Sequence, residues 1–245
     1  VLLTLVTQND IGLSNALCDV VLDCFAVNMC DENGKNTGNF EVERYLYSVA
    51  ECSEYEKKQI YNNVPLQAYA EIAGEDHLYY FAYNSFSNHL EIVNELYDFI
   101  QFVKEDSGSD KVNIVPISQG GSVANALLQI YADNGRSVAE DIHRILYIVP
   151  ALDGSILIGE IYQYGLLDDS YELYNTMFPS LMGEDDVLSY LINIILRIMP
   201  NADINNILDV AVRSLIKDYM RYSTLLWGLC PSGNYPACRE MYLTD

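Results

Sequence analysis

Histidine is scarce in this chain, with three in 245 residues, and its six cysteines fall in no paired CxxC spacing. A zinc site needs four ligands of these kinds brought together, so no metal is expected, and no other cofactor signature is present. Positive charge is also short. Lys and Arg total 13 against 35 Asp and Glu, and 13 − 35 gives a net charge of −22. So acidic a surface repels phosphate backbones and anionic lipid, which excludes nucleic acid as a partner. Long apolar runs are lacking as well. The longest candidate, Tyr190 to Met199, is interrupted by Asn193 and Arg197 and falls well short of the roughly 20 residues of a spanning helix. The chain opens at Val1 without a basic, apolar signal segment, so any such signal has been removed or was never included.

What is present is apolar bulk. Half of the residues are hydrophobic, enough for one large domain or for a core with a cap. From Val1 to Asn28 an apolar opening leads into a helical pattern through Leu13, Ala16, Leu17, Val20, Val21 and Cys24. Asp31 to Asn39 reads as a polar turn whose acids lack the spacing and closing glutamate of a calcium loop. Phe40 to Val49 alternates like a strand, Ser53 opens a short helix, and a loop containing Pro65 runs on to Gly74. Leu78 to Asn84 is aromatic and β-prone, and Leu90, Val93, Leu96, Tyr97, Ile100 and Val103 mark a long amphipathic helix ending near Gly108.

The densest signal follows. Lys111 to Ile117 is a Val/Ile-rich strand that ends at Ser118, Gln119, Gly120 and Gly121, after which apolar residues recur at helical spacing to Ala132. A serine on a sharp strand-to-helix turn, with glycine two places later, is the geometry of a nucleophile elbow: the hydroxyl stands above the sheet and the next backbone N–H, here that of Gln119, faces it. The pattern usually also has glycine two places before the serine, where this chain has Pro116. The plainer reading is an ordinary strand–helix turn in which glycine only permits close packing. A further strand is expected from Ile145 to Val149, and strands alternating with helices imply parallel crossovers in an α/β sheet. From Asp168 onward helical patterns take over, at Asp185 to Met199 and Ile204 to Tyr222. The domain reading is therefore an α/β core over 1–167 and a helical cap or insert over 168–245.

The block from His77 to Ser155, about a third of the chain, resembles the α/β-hydrolase superfamily. Tyr80-Phe81-Ala82-Tyr83-Asn84 before the long helix carries the likeness, as do Asp110 to Val115 leading into Ser118-Gln119-Gly120-Gly121 and Ile148 to Ser155 after the next strand. Within the superfamily it is most similar to bacterial lipase-like proteins related to lecithin:cholesterol acyltransferase, and Leu226 to Ser232 resembles their segment before the last sheet strands. The resemblance implies a mostly parallel sheet, Ser118 as nucleophile, Gln119 N–H as an oxyanion donor, and an ester of an apolar acyl group, from a small molecule or a lipid, as substrate. A non-catalytic protein of the same fold, or an interaction protein using its 20 tyrosines, is the alternative.

Such enzymes run serine, acid, histidine along the chain. After Ser118 only His143 remains, just before a strand and so at the sheet end opposite the turn; His77 has the same difficulty. His89 lies nearer, as base or as a plain helix-start histidine. Asp153 stands where some lipases place their acid, or is a turn residue before Gly154. The expectation is a chain lacking terminal parts of the fold, with acid and base beyond Asp245. Cys230 and Cys238 bracket Pro231-Ser232-Gly233-Asn234 and could close a small loop, and Cys30 and Cys52 flank another. Disulfides would suit a secreted or cell-envelope protein, with buried free thiols the alternative.

Overall fold

In the computed structural model the described residues are 30–38, 41–164, 213, 217 and 220–242. They form a mixed α/β arrangement: a two-stranded parallel sheet with helices around it. The sheet is β1 (Val112–Ile114) beside β2 (Ile142–Ile145), in register Val112 with Ile142 and Ile114 with Ile145. The pairing does not stop there. A bridge joins Ile117 to Ile148, Leu146 N–H donates to Ile114 O at 2.9 Å, and Ile148 N–H donates to Pro116 O at 3.0 Å. Pro116 faces the partner strand, so its missing N–H forgoes the ladder bond that would run to Leu146 O, while its carbonyl still accepts from Ile148 N–H.

Before the sheet come α1 (Glu54–Asn63), α2 (Gln67–Ala73) and α3 (His89–Ser107). Ser53 starts α1 by a capping box: its hydroxyl accepts from Glu56 N–H, and the Glu56 carboxylate accepts from Ser53 N–H at 2.6 Å. Asn88 caps α3 through Leu90 N–H at 2.8 Å, and Gly108 ends it in the left-handed conformation, φ 66°. α4 (Gly120–Asp133) follows β1 and lies against α3. The inward rows of these two helices, Ile92, Val93, Leu96 and Ile100 on α3 and Val123, Leu127 and Tyr131 on α4, form the main core with Ile142 and Leu225. Each such aliphatic side chain, fully withdrawn from water, contributes about 1.5–3 kcal/mol.

The amino end of the sheet is closed by Asp141. Its carboxylate accepts from Lys104 Nζ at 2.6 Å, from Tyr131 OH at 2.6 Å and from Arg136 Nη2 at 3.3 Å, and its side chain is only 3% exposed. Burial pushes this carboxyl up, but the bonds from Lys104 and Tyr131 outweigh it and hold it below its ordinary value.

After β2 come α5 (Ile156–Tyr164), the short α6 (Thr224–Trp227) and α7 (Tyr235–Tyr242). α5 and α7 pack together around Tyr162, Trp227, Cys230 and Cys238.

Several sequence expectations need correction. Glu41 to Tyr47 forms no ladder; Tyr45 is buried against Tyr47 and Tyr80, and just beyond the segment Val49 N–H donates to Leu78 O at 2.8 Å. Its alternation reflects aromatic packing, not strand pairing. Leu78 to Asn84 pairs with no strand among the described residues. The expected Pro65–Gly74 loop contains α2, and α5 was not expected at all. The strand placed at Ile145–Val149 begins at Ile142, so His143 lies inside it. The helices expected within Val1–Asn28, at Asp185–Met199 and at Ile204–Tyr222 fall wholly or almost wholly outside the described residues.

Candidate functional site

β1 continues through Pro116 to Ser118, and α4 begins two residues later, so Ser118 occupies a strand–turn–helix corner at the carboxyl end of the sheet. Its φ is 52°. Val149, at the same end of the neighbouring strand, has φ 39°, and these are the only non-glycine residues with positive φ among those described. For a β-branched residue this is a genuine outlier, and each such position costs about 1–3 kcal/mol unless its surroundings enforce it. The surroundings here are mutual: Ser118 N–H donates to Ile148 O at 3.1 Å, and Ala151 N–H donates to Ser118 O at 2.9 Å. The two strained turns are laced to each other.

The glycines after Ser118 do different jobs. A Cβ on Gly121 would lie 2.6 Å from Pro150 Cβ and 3.1 Å from its Cα, so only glycine lets α4 approach the end of β2 this closely. A Cβ on Gly120 would meet Pro116 Cβ at 3.6 Å, an ordinary contact. Proline two places before the serine is therefore compatible with the corner.

The Ser118 residue is exposed, and no hydrogen bond from the described residues engages its hydroxyl. Gln119 is the N-cap of α4, with φ −57° and ψ −28°. The following N–H groups turn back onto the corner, Gly120 to Ile117 O at 2.8 Å and Gly121 to Ser118 O at 3.0 Å, while Gln119 N–H has no backbone acceptor among the described residues. It is a free donor at the positive end of a 14-residue helix, whose first turn carries no acidic side chain to neutralise it. The Gln119 side chain is anchored away from it, Nε2 donating to Ser85 O at 3.2 Å and Leu225 O at 3.5 Å.

The corner closes one end of a cavity of about 900 Å³, walled by Pro116, Ser118, Val123, Phe81, Tyr83 and Leu96 among others. Among the described residues none beyond Leu146 lines it.

The three histidines of the chain are all described, and none is bonded to Ser118. His89 opens α3; its N–H donates to Thr224 Oγ1 at 2.8 Å, its Nδ1 lies 3.0 Å from Thr224 O, and its Nε2 lies 3.4 Å from Ser122 Oγ. Ser122 in turn donates to Gln119 O at 2.8 Å. Burial lowers the His89 pKa, partly offset by the bond to Thr224 O. His89 thus braces the helix side of the corner through Ser122, one turn beyond the reacting position. His143 lies in β2 at the far end of the sheet. His77 is exposed beside Asp76 at 3.8 Å.

Asp153 accepts from Ser232 N–H at 2.9 Å, which holds its carboxyl below the ordinary value, and it ties the 229–235 segment to the loop before α5. It has no bond to a histidine or to Ser118. The Asp31 carboxylate is likewise turned onto its own loop, accepting from Asn33 N–H at 2.8 Å and Lys35 N–H at 3.0 Å.

Cys230 and Cys238 are buried free thiols with sulfurs 3.6 Å apart. Cys30 and Cys52 pair with no cysteine among the described residues; their thiols face the carbonyls of Phe86 and Ser48. Sequence reasoning missed the strain at Val149, the seat of Gly121 against Pro150, and the His89–Ser122 brace. The two adjacent glycines were the only advance signal of any of these. Compared with protein-family models, with curated proteins and with solved structures, the chain finds no match.

Proposed function

We propose that this protein is a serine hydrolase of α/β-hydrolase type, of the lipase, esterase or acyltransferase kind, and that it acts on an ester of an apolar acyl group. The observation that carries the reading is the backbone of Ser118: positive φ on a non-glycine residue, between a parallel strand and a helix whose first free N–H is that of the next residue. Strain of this kind persists where a side chain has to be presented in one direction. In the reaction Ser118 Oγ attacks the ester carbonyl, the carbonyl oxygen takes up negative charge facing Gln119 N–H, and the alcohol leaves with a proton to give an acyl-enzyme that water hydrolyses. The base that takes the Ser118 proton and a second oxyanion donor come, in this reading, from outside the described residues.

One observation favours a second reading, a non-catalytic protein of the same fold: His77, His89 and His143 are each placed without a bond to Ser118. Ester turnover separates the two. The natural full-length product should hydrolyse p-nitrophenyl acyl esters and lose that activity in Ser118→Ala, while His89→Ala retains it. A folded full-length protein with no turnover on any acyl length overturns the enzyme reading. Turnover abolished by His89→Ala would instead make His89 the base.

A further inference from the structure

Independently of any reading of Ser118, the tail that returns after α6 is bound to the α5 region at unusually short range. Ser155 N–H donates to Leu229 O at 2.9 Å, Asp153 accepts from Ser232 N–H, and Asn234 Nδ2 donates to Gln163 Oε1 at 2.9 Å. Two glycines make the approach possible. A Cβ on Gly154 would lie 2.4 Å from Leu229 O, and one on Gly159 would lie 2.7 Å from Pro231 Cδ. Cys230 and Cys238 sit in the middle of this seam, buried, with sulfurs 3.6 Å apart and the Cys238 thiol facing Gly159 O at 3.7 Å.

We propose that Cys230 and Cys238 are a redox-closable clasp, converted to a disulfide by an external disulfide oxidant, and that closure fixes the docked tail on α5. The spacing is the first support. A disulfide needs sulfurs about 2.05 Å apart, so side-chain torsion has to supply a shift of roughly 1.5 Å. The backbone between them is already coiled correctly, by Tyr235 N–H to Pro231 O at 3.0 Å and Cys238 N–H to Asn234 O at 3.1 Å. Selectivity is the second. Cys30 and Cys52 each face a main-chain carbonyl, and neither neighbours another thiol among the described residues.

The chemistry balances as two exchanges. One thiol loses its proton to solvent and its sulfur attacks the oxidant's disulfide, giving a mixed disulfide and one reduced oxidant half. The second, also deprotonated, then attacks the protein-side sulfur and expels the other half. The protein loses two protons and two electrons, and the oxidant becomes two thiols. Burial pushes the Cys230 thiol up to about 12 and raises that of Cys238. Thiolate is therefore scarce at neutral pH, so closure is slow and accelerates as pH rises.

The test uses the whole folded chain incubated with oxidised glutathione, then acid-quenched, unfolded, alkylated and mapped by mass spectrometry. The expected product is an internal Cys230–Cys238 link, with both of these residues lost from the alkylated set and Cys30 and Cys52 still alkylated. Cys238→Ser should instead leave Cys230 carrying glutathione. The oxidised wild type should melt higher than the reduced form, and the shift should vanish in Cys238→Ser. The proposal is overturned if Cys230 and Cys238 stay alkylated while the unfolded chain oxidises under the same conditions. Separate glutathione adducts on the two, or a link without any change in melting, overturn it equally.

Discussion

At the amino end of the parallel sheet Asp141 is buried at 3% exposure and takes hydrogen bonds from Lys104, Tyr131 and Arg136, whereas at the carboxyl end Val149 is 76% exposed and shares with Ser118 a backbone forced to positive φ. One end spends its polar groups on each other. The other leaves a hydroxyl and an N–H without partners among the described residues, beside backbone strained to positive φ. The contrast is that between a stabilising and a presenting end of the same two strands, and it makes opposite demands on substitution.

The largest effect is therefore expected at the buried end. Asp141→Ala should destabilise the fold by about 3–5 kcal/mol, because Tyr131 and Lys104 are left without their acceptor in a mostly buried site; denaturant midpoints measure this directly. The pH dependence sharpens it. Since the folded-state pKa of Asp141 is lowered from 3.8, its contribution is fully present above that value and is lost as pH falls through the lower, folded-state one. Acid unfolding of the wild type should carry this component below about pH 3.8, and Asp141→Asn should lack it.

Packing at the presenting end comes next. Gly121→Val drives a side chain into Pro150 and should cost about 1–3 kcal/mol or more, while Gly120→Ala, with 3.6 Å to Pro116 Cβ, should cost within about 1 kcal/mol. If the two glycines prove equally intolerant, the asymmetry drawn between them is wrong. Smaller still is Ser118→Gly. Relief of the positive φ offsets the entropy that glycine adds to the unfolded chain, so thermal unfolding should show stability unchanged or raised by up to about 1 kcal/mol. A clear loss of stability would mean that the Ser118 side chain serves the fold. An effect of similar size but opposite sign, a loss of about 1 kcal/mol, is expected at His89→Ala from loss of the brace to Thr224 O.

How much of this was legible beforehand divides along the same line. Local patterns placed α3 and α4 closely, because Gly108 and the apolar rows at helical spacing are written in nearby residues. The turn at Ser118 was legible for the same reason. Contacts between distant segments were not: nothing near Gly121 announces Pro150, nothing near His89 announces Thr224, and Asp153 gives no sign of Ser232. Phe40–Val49 misled because period-two alternation of tyrosines serves aromatic packing as well as a ladder. α2 and α5 were missed because seven- and nine-residue helices have too few turns for periodicity to stand out.

The measurement closest to the central claim is covalent labelling of the intact, natural full-length protein with a fluorophosphonate, followed by mapping of the modified residue. The account predicts a single adduct, on Ser118, formed by the folded protein, abolished by Ser118→Ala and by prior unfolding, and preserved in His89→Ala. A folded protein that takes up no label, or takes it on a different serine, would contradict the assignment of Ser118 as a nucleophile.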